Sequence, residues 1–206
     1  MSSHLNDLIG RYAALEECRS DIQQAFDLLA ATFLKNGKLL LCGNGGSAAD
    51  SEHWAGEMLK GFAHSRPLSS SMRQGLSPET ADRLQWAFPV IPLTGFPAFA
   101  TAFSNDVDPE FVFAQLLLAL GQRGDVMAAL STSGNSSNVC RAAEVARSRN
   151  IPVLGLTGAT GGRLKALANV CICVPATQTR YVQEFHLPIY HCLSLMLEET
   201  FVTHWR

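Results

Sequence analysis

The sequence lacks the long apolar runs, the clustered basic residues and the nucleotide-binding signatures that mark several large classes of protein. No apolar stretch approaches the roughly 20 residues needed to cross a bilayer, so no membrane partner is expected. The 206 residues carry a formal net charge of −2 without a basic stripe, which argues against nucleic-acid binding. Neither GxGxxG nor GxxxxGK(S/T) occurs, so a nucleoside triphosphate is not the expected ligand.

Cysteines with metal-ligand or disulfide spacing are also missing. The six cysteines are scattered without a CxxC, and most lie in apolar segments, so we expect buried thiols in a reducing compartment. The first residues show neither the basic region nor the apolar region of a secretion signal. Both observations predict a cytoplasmic protein.

The most informative stretch is a short apolar run followed by a glycine-rich loop and an alanine-rich segment. Residues 38–42 predict a buried strand, and Gly43-Asn44-Gly45-Gly46-Ser47 follows directly. Ser47 is a good N-cap for the helix predicted next. A strand, a glycine loop and a helix N-terminus together can bind an anion. On the glycines alone, a tight turn without a ligand is an equal alternative.

A second loop of the same kind is rich in hydroxyl groups. Residues 126–130 predict another buried strand, which ends in Ser131-Thr132-Ser133-Gly134-Asn135-Ser136 before a helix. These hydroxyls could donate to phosphate oxygens, although a loop that only caps its helix has the same composition. Two such loops after two strands of one sheet favour a phosphorylated small molecule.

Strands and helices alternate along the chain, which predicts an α/β fold with a doubly wound parallel sheet in a single domain over residues 1–206. The final helix is expected over about 185–204. We interpret residues 64–88 as an insertion, within which a short helix with Ser77 as N-cap is expected. The predicted strands cover residues 38–42, 90–93, 126–130, 152–157 and 170–174.

Apolar residues at helical spacing predict one long helix from residue 5 to about 34, before the first strand. This segment, residues 1–36, carries more apolar surface than one sheet face needs. Packing against a partner chain is the simplest explanation, and a lid over the same chain is the alternative. The side chains expected in subunit contacts are Leu8, Tyr12, Leu15 and Phe26.

His53 and Glu57 stand four residues apart and therefore on one helix face, a spacing that two ligands of one metal can use. Taken alone, a surface or interface pair is the commoner outcome. A carboxylate and an imidazole that converge on a phosphosugar would instead serve as base and acid for proton transfer next to a carbonyl.

Several motifs follow one another along nearly the whole chain. They are Gly43-Asn-Gly-Gly-Ser47, His53-x-x-x-Glu57, Asn105-Asp106, Ser131-Thr-Ser-Gly-Asn-Ser136, Leu156-Thr-Gly158 and Gln183-Glu-x-His186 with His191. Together they resemble the sugar-isomerase (SIS) domain and, within it, the phosphoheptose isomerases, also called sedoheptulose 7-phosphate isomerases. The resemblance implies a five-stranded parallel sheet between helices, a homotetramer with active sites at subunit interfaces, and in many members a metal, usually zinc.

Carried over by position, the resemblance also implies the roles of individual residues in an aldose–ketose isomerase. Glu57 and His191 would be base and acid for moving a proton between C1 and C2 through an enediol. The metal ligands would be His53, Glu57, Gln183 and His191. The substrate-binding residues would be Asn44, Gly45, Gly46, Ser47, Glu57, Asn105, Asp106, Ser131, Thr132, Ser133, Ser136 and Gln183.

Some features depart from the family pattern. Members often carry arginine where Gly61 stands, so one phosphate or hydroxyl contact is absent here or supplied by Lys60 or Arg66. The insertion at residues 64–88 could reshape the pocket mouth, and the role of Arg180 is left open because the Arg-x-Gln pattern is shifted.

The spacing of two implied ligands sets a geometric condition. On one straight helix, Gln183 and His191 would lie about 12 Å apart along the axis, too far to share a metal. Either Gln183 precedes the helix and folds back, or the ligands come from two chains. The rival interpretation of the whole chain is a non-catalytic SIS tetramer that binds a replication initiator or senses a phosphosugar. The histidine at position 191 favours the enzyme.

Overall fold

The computed structural model describes residues 2–202 and contains one five-stranded parallel sheet. The strands are β1 (Leu39–Cys42), β2 (Val90–Pro92), β3 (Val126–Ser131), β4 (Val153–Thr157) and β5 (Val170–Cys173), in the spatial order β2-β1-β3-β4-β5. The α/β class, the five strands and their parallel direction are therefore as predicted. Each strand lies within two residues of its expected bounds.

Alternate strand residues face two helical layers. Leu39 and Leu41 of β1 pack in one core together with residues of α1 (Ser3–Arg11), α2 (Arg19–Leu34), α3 (Gly46–Met58) and α9 (Thr179–Val202). Leu40 and Cys42 face the opposite core, to which α6 (Val112–Leu120), α7 (Ser137–Ser148) and α8 (Gly162–Leu167) contribute. A sheet covered on both sides explains why β1 and β3 are continuous apolar runs rather than alternating ones.

The strand order brings the two predicted loops together. From β1 the chain moves outward to β2, and from there it crosses back to β3 on the other side of β1. The carboxyl ends of β1 and β3 are therefore neighbours at the point where the strand order reverses, where open α/β sheets bind ligands.

The N-terminal segment is not the single helix predicted over residues 5–34. A 3₁₀ helix (Ala13–Cys18) separates α1 from α2, and the chain leaves helical geometry at Tyr12, with φ −128° and ψ 71°. One straight helix of that length would extend about 45 Å, whereas the break lets both α1 and α2 pack against α9.

The apolar face of this segment packs mainly against its own chain. Leu8 and Leu15, which were expected in subunit contacts, are 0% exposed within one chain. Tyr12 and Phe26 pack at the edge of the same core and remain partly accessible. Leu8 and Leu15 are thus core residues, because the N-terminal segment packs against α9 and β5 of its own chain.

Two helix starts differ from the predictions. Gly45, not Ser47, is the N-cap of α3, and Ser47 lies buried inside the helix. The final helix α9 begins at Thr179, six residues before the expected start, so Gln183 is helical; its predicted end at His204 lies outside the described residues. Pro188 stands inside α9.

The segment at residues 64–88 consists of turns around one short helix, α4 (Pro78–Arg83), with Ser77 as its N-cap. The Ser77 side chain accepts a hydrogen bond from the Thr80 N–H, as the sequence predicted. Between this segment and α6 lies α5 (Pro97–Asp106), and the 3₁₀ helix Pro109–Phe111 leads into α6. None of the helices over residues 2–202 is both long and apolar enough to cross a membrane.

Candidate active site

The glycine loop after β1 turns sharply into α3. Gly45 has φ +54°, a conformation that favours glycine, and it serves as the N-cap without a side-chain hydrogen bond. A Cβ on Gly46 would lie 2.3 Å from the Gln183 Nε2 atom, so glycine at this position leaves room for the Gln183 side chain. The loop thereby joins two of the predicted substrate-binding positions, Gly46 and Gln183.

The serine loop after β3 leads into the N-terminus of α7. The Ser131 and Ser136 hydroxyls lie 3.0 Å apart, and the Ser133 hydroxyl accepts a hydrogen bond from the Asn135 N–H. Ser136 is the N-cap of this twelve-residue helix, but its side chain makes no capping bond. The first N–H groups of α7 and the nearby hydroxyls can therefore donate to an anion.

A pair of asparagines connects the two loops. The Asn44 Nδ2 donates to the Asn138 Oδ1 at 2.8 Å, and the Asn138 Nδ2 donates to the Asn44 Oδ1 at 2.9 Å. Asn44 was predicted from the sequence, whereas Asn138 was not, because it lies after the recognisable serine motif. The reciprocal pair holds the glycine loop beside the helix N-terminus that begins α7.

His53, Glu57 and His191 form a triad of possible metal ligands, with one ligand atom of each within 4.8 Å of the others. The His53 Nε2 lies 3.2 Å from the Glu57 Oε1, and the two imidazole rings have centroids 5.1 Å apart. The Nε2 of His191 is buried and has no hydrogen-bond partner among residues 2–202. Two imidazoles, one carboxylate and an unpartnered nitrogen fit a divalent ion such as zinc with an open coordination position.

The electrostatics of the triad favour an ionised carboxylate beside a neutral imidazole. Burial alone would raise the pKa of Glu57, but Lys60, 2.9 Å away, and His53 outweigh it and hold that pKa below its usual value. Burial lowers the pKa of His191, and His53 nearby lowers it further. At neutral pH, Glu57 can therefore accept a proton, while His191 is uncharged.

The remaining predicted site residues are Asn105, Asp106 and Thr132. Asn105 and Asp106 lie at the exposed C-terminal end of α5, where their side chains bond to each other at 2.8 Å. Apart from this bond, neither is hydrogen-bonded to any other predicted site residue within the described chain. The Thr132 carbonyl accepts from the Gly158 N–H, which ties the serine loop to the end of β4.

Gln183 does not join the triad within one chain. It lies on α9 together with His191, eight residues earlier, or about 12 Å along the helix axis. Its side chain is directed at Gly46, at the beginning of α3. The alternative in which Gln183 precedes the helix is thus removed.

Of the two basic residues considered as substitutes for an arginine at position 61, only one is accessible. Arg66 is 0% exposed and paired with Glu198 at 2.7 Å, so it cannot reach a ligand. Lys60 keeps 60% of its side chain exposed while its Nζ contacts Glu57. Any cationic contact from this turn therefore comes from Lys60.

The chain is similar to known proteins over most of its length. Two models described as SIS domain match residues 5–81 and 101–197. A phosphoheptose isomerase of Azoarcus sp. (strain BH72) is 40% identical over 186 residues, which cover 89% of this chain and 85% of the relative. The solved structure of phosphoheptose isomerase from Neisseria gonorrhoeae matches with a TM-score of 0.76 at 31% identity over 96% of both chains.

A second solved structure gives the same result. A phosphoheptose isomerase from Francisella tularensis matches with a TM-score of 0.73 at 28% identity, over 97% of this chain and 100% of that one. These relatives are covered over most of their length, so the similarity concerns the whole chain and not a single motif.

Proposed function

This chain belongs to the phosphoheptose isomerase family of SIS-domain enzymes, and from that membership we propose that it converts sedoheptulose 7-phosphate to D-glycero-D-manno-heptose 7-phosphate. The observation that carries the proposal is the position of the triad relative to the glycine loop. Seven residues of α3, about 10 Å, separate Gly46 from His53. Because Asn44 and Asn138 hold the start of α7 beside that glycine loop, the carbonyl end of a sugar can lie at the triad while its phosphate lies at the start of α7.

We assign the phosphate to the hydroxyls of Ser131, Ser133 and Ser136 and to the N-terminus of α7. The other contacts expected from the sequence come from Asn44, Gly45, Gly46, Ser47, Asn105, Asp106, Thr132 and Gln183. With the phosphate held, C1 and C2 of the sugar would lie at the triad, where the proton transfer takes place.

Glu57 acts in this proposal as the base that moves a proton between C1 and C2. Its two oxygens have different neighbours, because Oε1 faces His53 and Oε2 faces Lys60. One oxygen can thus hold a metal while the other accepts the proton. His191, neutral at pH 7, would exchange a proton with the sugar oxygens during the enediol step.

The metal ligands in the proposal are His53, Glu57 and His191, with Gln183 of another chain as the fourth. A bound divalent ion such as zinc would polarise the oxygens next to the transferred proton. The distance between Gln183 and His191 of one chain supports a site completed by a second copy, which the expected homotetramer would supply. The cytoplasmic location stays a prediction.

The direct test is turnover of sedoheptulose 7-phosphate by the purified protein, followed by nuclear magnetic resonance of the sugar. We expect a new heptose 7-phosphate and a loss of turnover with chelator that added zinc reverses. A protein that binds the phosphosugar but never isomerises it would contradict the proposal. It would favour the alternative, a non-catalytic SIS tetramer that senses a phosphosugar or binds a replication initiator.

A further inference from the structure

The carboxylate of Glu198, near the end of α9, is fully buried and surrounded by donors. Its Oε1 accepts from the Phe62 N–H at 2.8 Å and from the Arg66 Nε at 2.7 Å. Its Oε2 accepts from the N–H groups of Ala63 at 2.7 Å and His64 at 2.9 Å. Three consecutive backbone N–H groups of one turn are thus held by a single side chain.

Arg66 completes this arrangement from the other side. Its guanidinium lies 4.9 Å from the ring centroid of Trp86 and 5.0 Å from that of Phe88, and its Nη1 donates to the Met58 carbonyl at 2.9 Å. Both Arg66 and Glu198 are 0% exposed. Since a buried charge is costly unless it is paired and hydrogen-bonded, the pair is stable only while the turn keeps its place.

The turn held in this way, residues 60–64, lies against the triad. The ring of Phe62 packs on the imidazole of His191, with centroids 5.2 Å apart. The Nζ of Lys60 lies 2.9 Å from the Glu57 Oε2. The turn therefore sets the surroundings of one imidazole and of the carboxylate.

We propose that Glu198 and Arg66 are positioning residues of the active site, which act by holding residues 60–64 against His191 and Glu57. The inference rests on the proposed isomerase function, which it deepens by adding two residues that never touch the substrate. The ionised carboxylate is essential to this role, because each of its oxygens must accept two hydrogen bonds.

The protonation of Glu198 agrees with the geometry. Burial alone would raise its pKa, but the N–H groups of Phe62 and Ala63 and the Arg66 guanidinium outweigh it and hold the pKa below the usual value. The carboxylate is accordingly charged throughout the neutral range, and the turn stays fixed there.

The first test variant is Glu198→Gln. Whichever way the amide is turned, its NH₂ group faces two donors, so two of the four hydrogen bonds are lost and at least one of them comes from the turn. We expect kcat to fall roughly 10- to 100-fold with KM changed less than twofold, and the zinc dissociation constant to rise by a similar factor. Amide hydrogen exchange at residues 62–64 should accelerate.

A second variant separates positioning from stability. In Arg66→Met/Glu198→Leu both charges are replaced by apolar side chains, an exchange that buried ion pairs often tolerate. We expect the melting temperature to recover towards that of the parent, while kcat, zinc affinity and amide exchange stay as in Glu198→Gln. Recovery of parental kcat and zinc affinity would overturn the inference.

A matched control exists at the opposite end of the sheet. Asp125 is 4% exposed and accepts from the Lys38 and Gln122 N–H groups as well as from the Lys38 ammonium. Asp125→Asn should lower the melting temperature without changing kcat or zinc affinity. Equal losses of kcat in Asp125→Asn and Glu198→Gln would reduce Glu198 to a structural role.

The readouts also distinguish this inference from the proposed function. Zinc affinity and amide exchange need no turnover, so they decide the role of Glu198 even if the parent protein does not isomerise the sugar. Unchanged zinc affinity and exchange in Glu198→Gln would refute the positioning role, whereas absence of turnover in the parent would refute the isomerase function alone.

Discussion

The hydroxyl of Tyr190 lies 2.9 Å from the His53 Nδ1 and 3.2 Å from the Asp50 Oδ1. With the hydroxyl proton directed to Asp50, its oxygen can accept from the Nδ1–H of His53, and the Nε2 lone pair is then free to bind a metal shared with Glu57. Trp54 stacks on the Tyr190 ring at 5.7 Å, which fixes the phenol in this position. Tyr190 therefore determines which nitrogen of His53 is available to a metal.

Tyr190→Phe removes only this hydroxyl. We expect the zinc dissociation constant, measured by competition with a chromogenic chelator, to rise roughly 10- to 100-fold, as for other partners of metal-ligating histidines. Tyr12→Phe removes a hydroxyl from the N-terminal segment and should leave the constant unchanged. Equal affinity in both variants would mean that the hydroxyl does not orient His53.

The roles of acid and base predict a particular division of kinetic effects. Glu57→Gln and His191→Asn should each lower kcat by roughly 10²–10⁴, because a positioned proton-transfer group is lost. Their effects should not add in the double variant, since both serve one proton-transfer sequence. Ser133→Ala should mainly raise KM. Full turnover in both single variants would contradict the assignment.

A site shared between chains predicts complementation. Neither Glu57→Gln nor Gln183→Ala should be active alone, but after unfolding, mixing and refolding together, about a quarter of the sites would combine an intact triad with an intact glutamine. The control mixture, Glu57→Gln with His191→Asn, should recover nothing, because both changes affect the triad of one chain. If the mixture of Glu57→Gln and Gln183→Ala recovered no more activity than the control mixture, Gln183 would act in the site of its own chain.

His186 predicts how stability depends on pH. The ring is 0% exposed, with its Nε2 3.4 Å from the Thr157 carbonyl oxygen, and burial lowers its pKa to about 4. Below the usual value of about 6.5, the unfolded chain binds a proton that the folded chain does not. The free energy of unfolding should therefore decrease as the pH is lowered from about 6.5 to 4, by roughly 3 kcal/mol in total.

Urea unfolding at fixed protein concentration between pH 7.5 and 4.5 measures this dependence. His186→Gln has no titrating ring and should show a shallower slope than the parent. His64→Gln replaces an exposed ring and should keep the parental slope. Parallel curves for the parent and His186→Gln would show that folding does not lower the pKa of His186.

Local sequence patterns were sufficient to predict much of the fold. The strands are short apolar runs bounded by glycine or polar residues, so their bounds could be predicted within two residues. The glycine and serine loops could be placed together, because parallel strands bring their carboxyl ends to one edge. The separation of Gln183 and His191 also followed from helical geometry alone.

The N-terminal break and the start of α3 were not predicted, because neither follows from hydrophobic periodicity or N-cap preference. Periodicity continues across Tyr12, whereas in the fold α1 and α2 on either side of the break both pack against α9. Ser47 has the chemistry of an N-cap, but the positive φ of Gly45 starts the helix earlier.

Tyr190 and Glu198 gave no local signal either. Each lies on an apolar face of α9, and their partners are more than 130 residues away in the sequence. Only the fold shows that one orients a histidine and the other holds a turn. Hydrophobic periodicity and motif spacing do not predict long-range polar contacts of this kind.

The anchoring of residues 64–88 limits how substrate preference can be redesigned. Here Arg66, Ala81, Trp86 and Phe88 are buried, so a graft that replaced the whole segment would also remove part of the core. Within this segment, residues 69–80 are mostly exposed and can be randomised without replacing Arg66, the partner of Glu198.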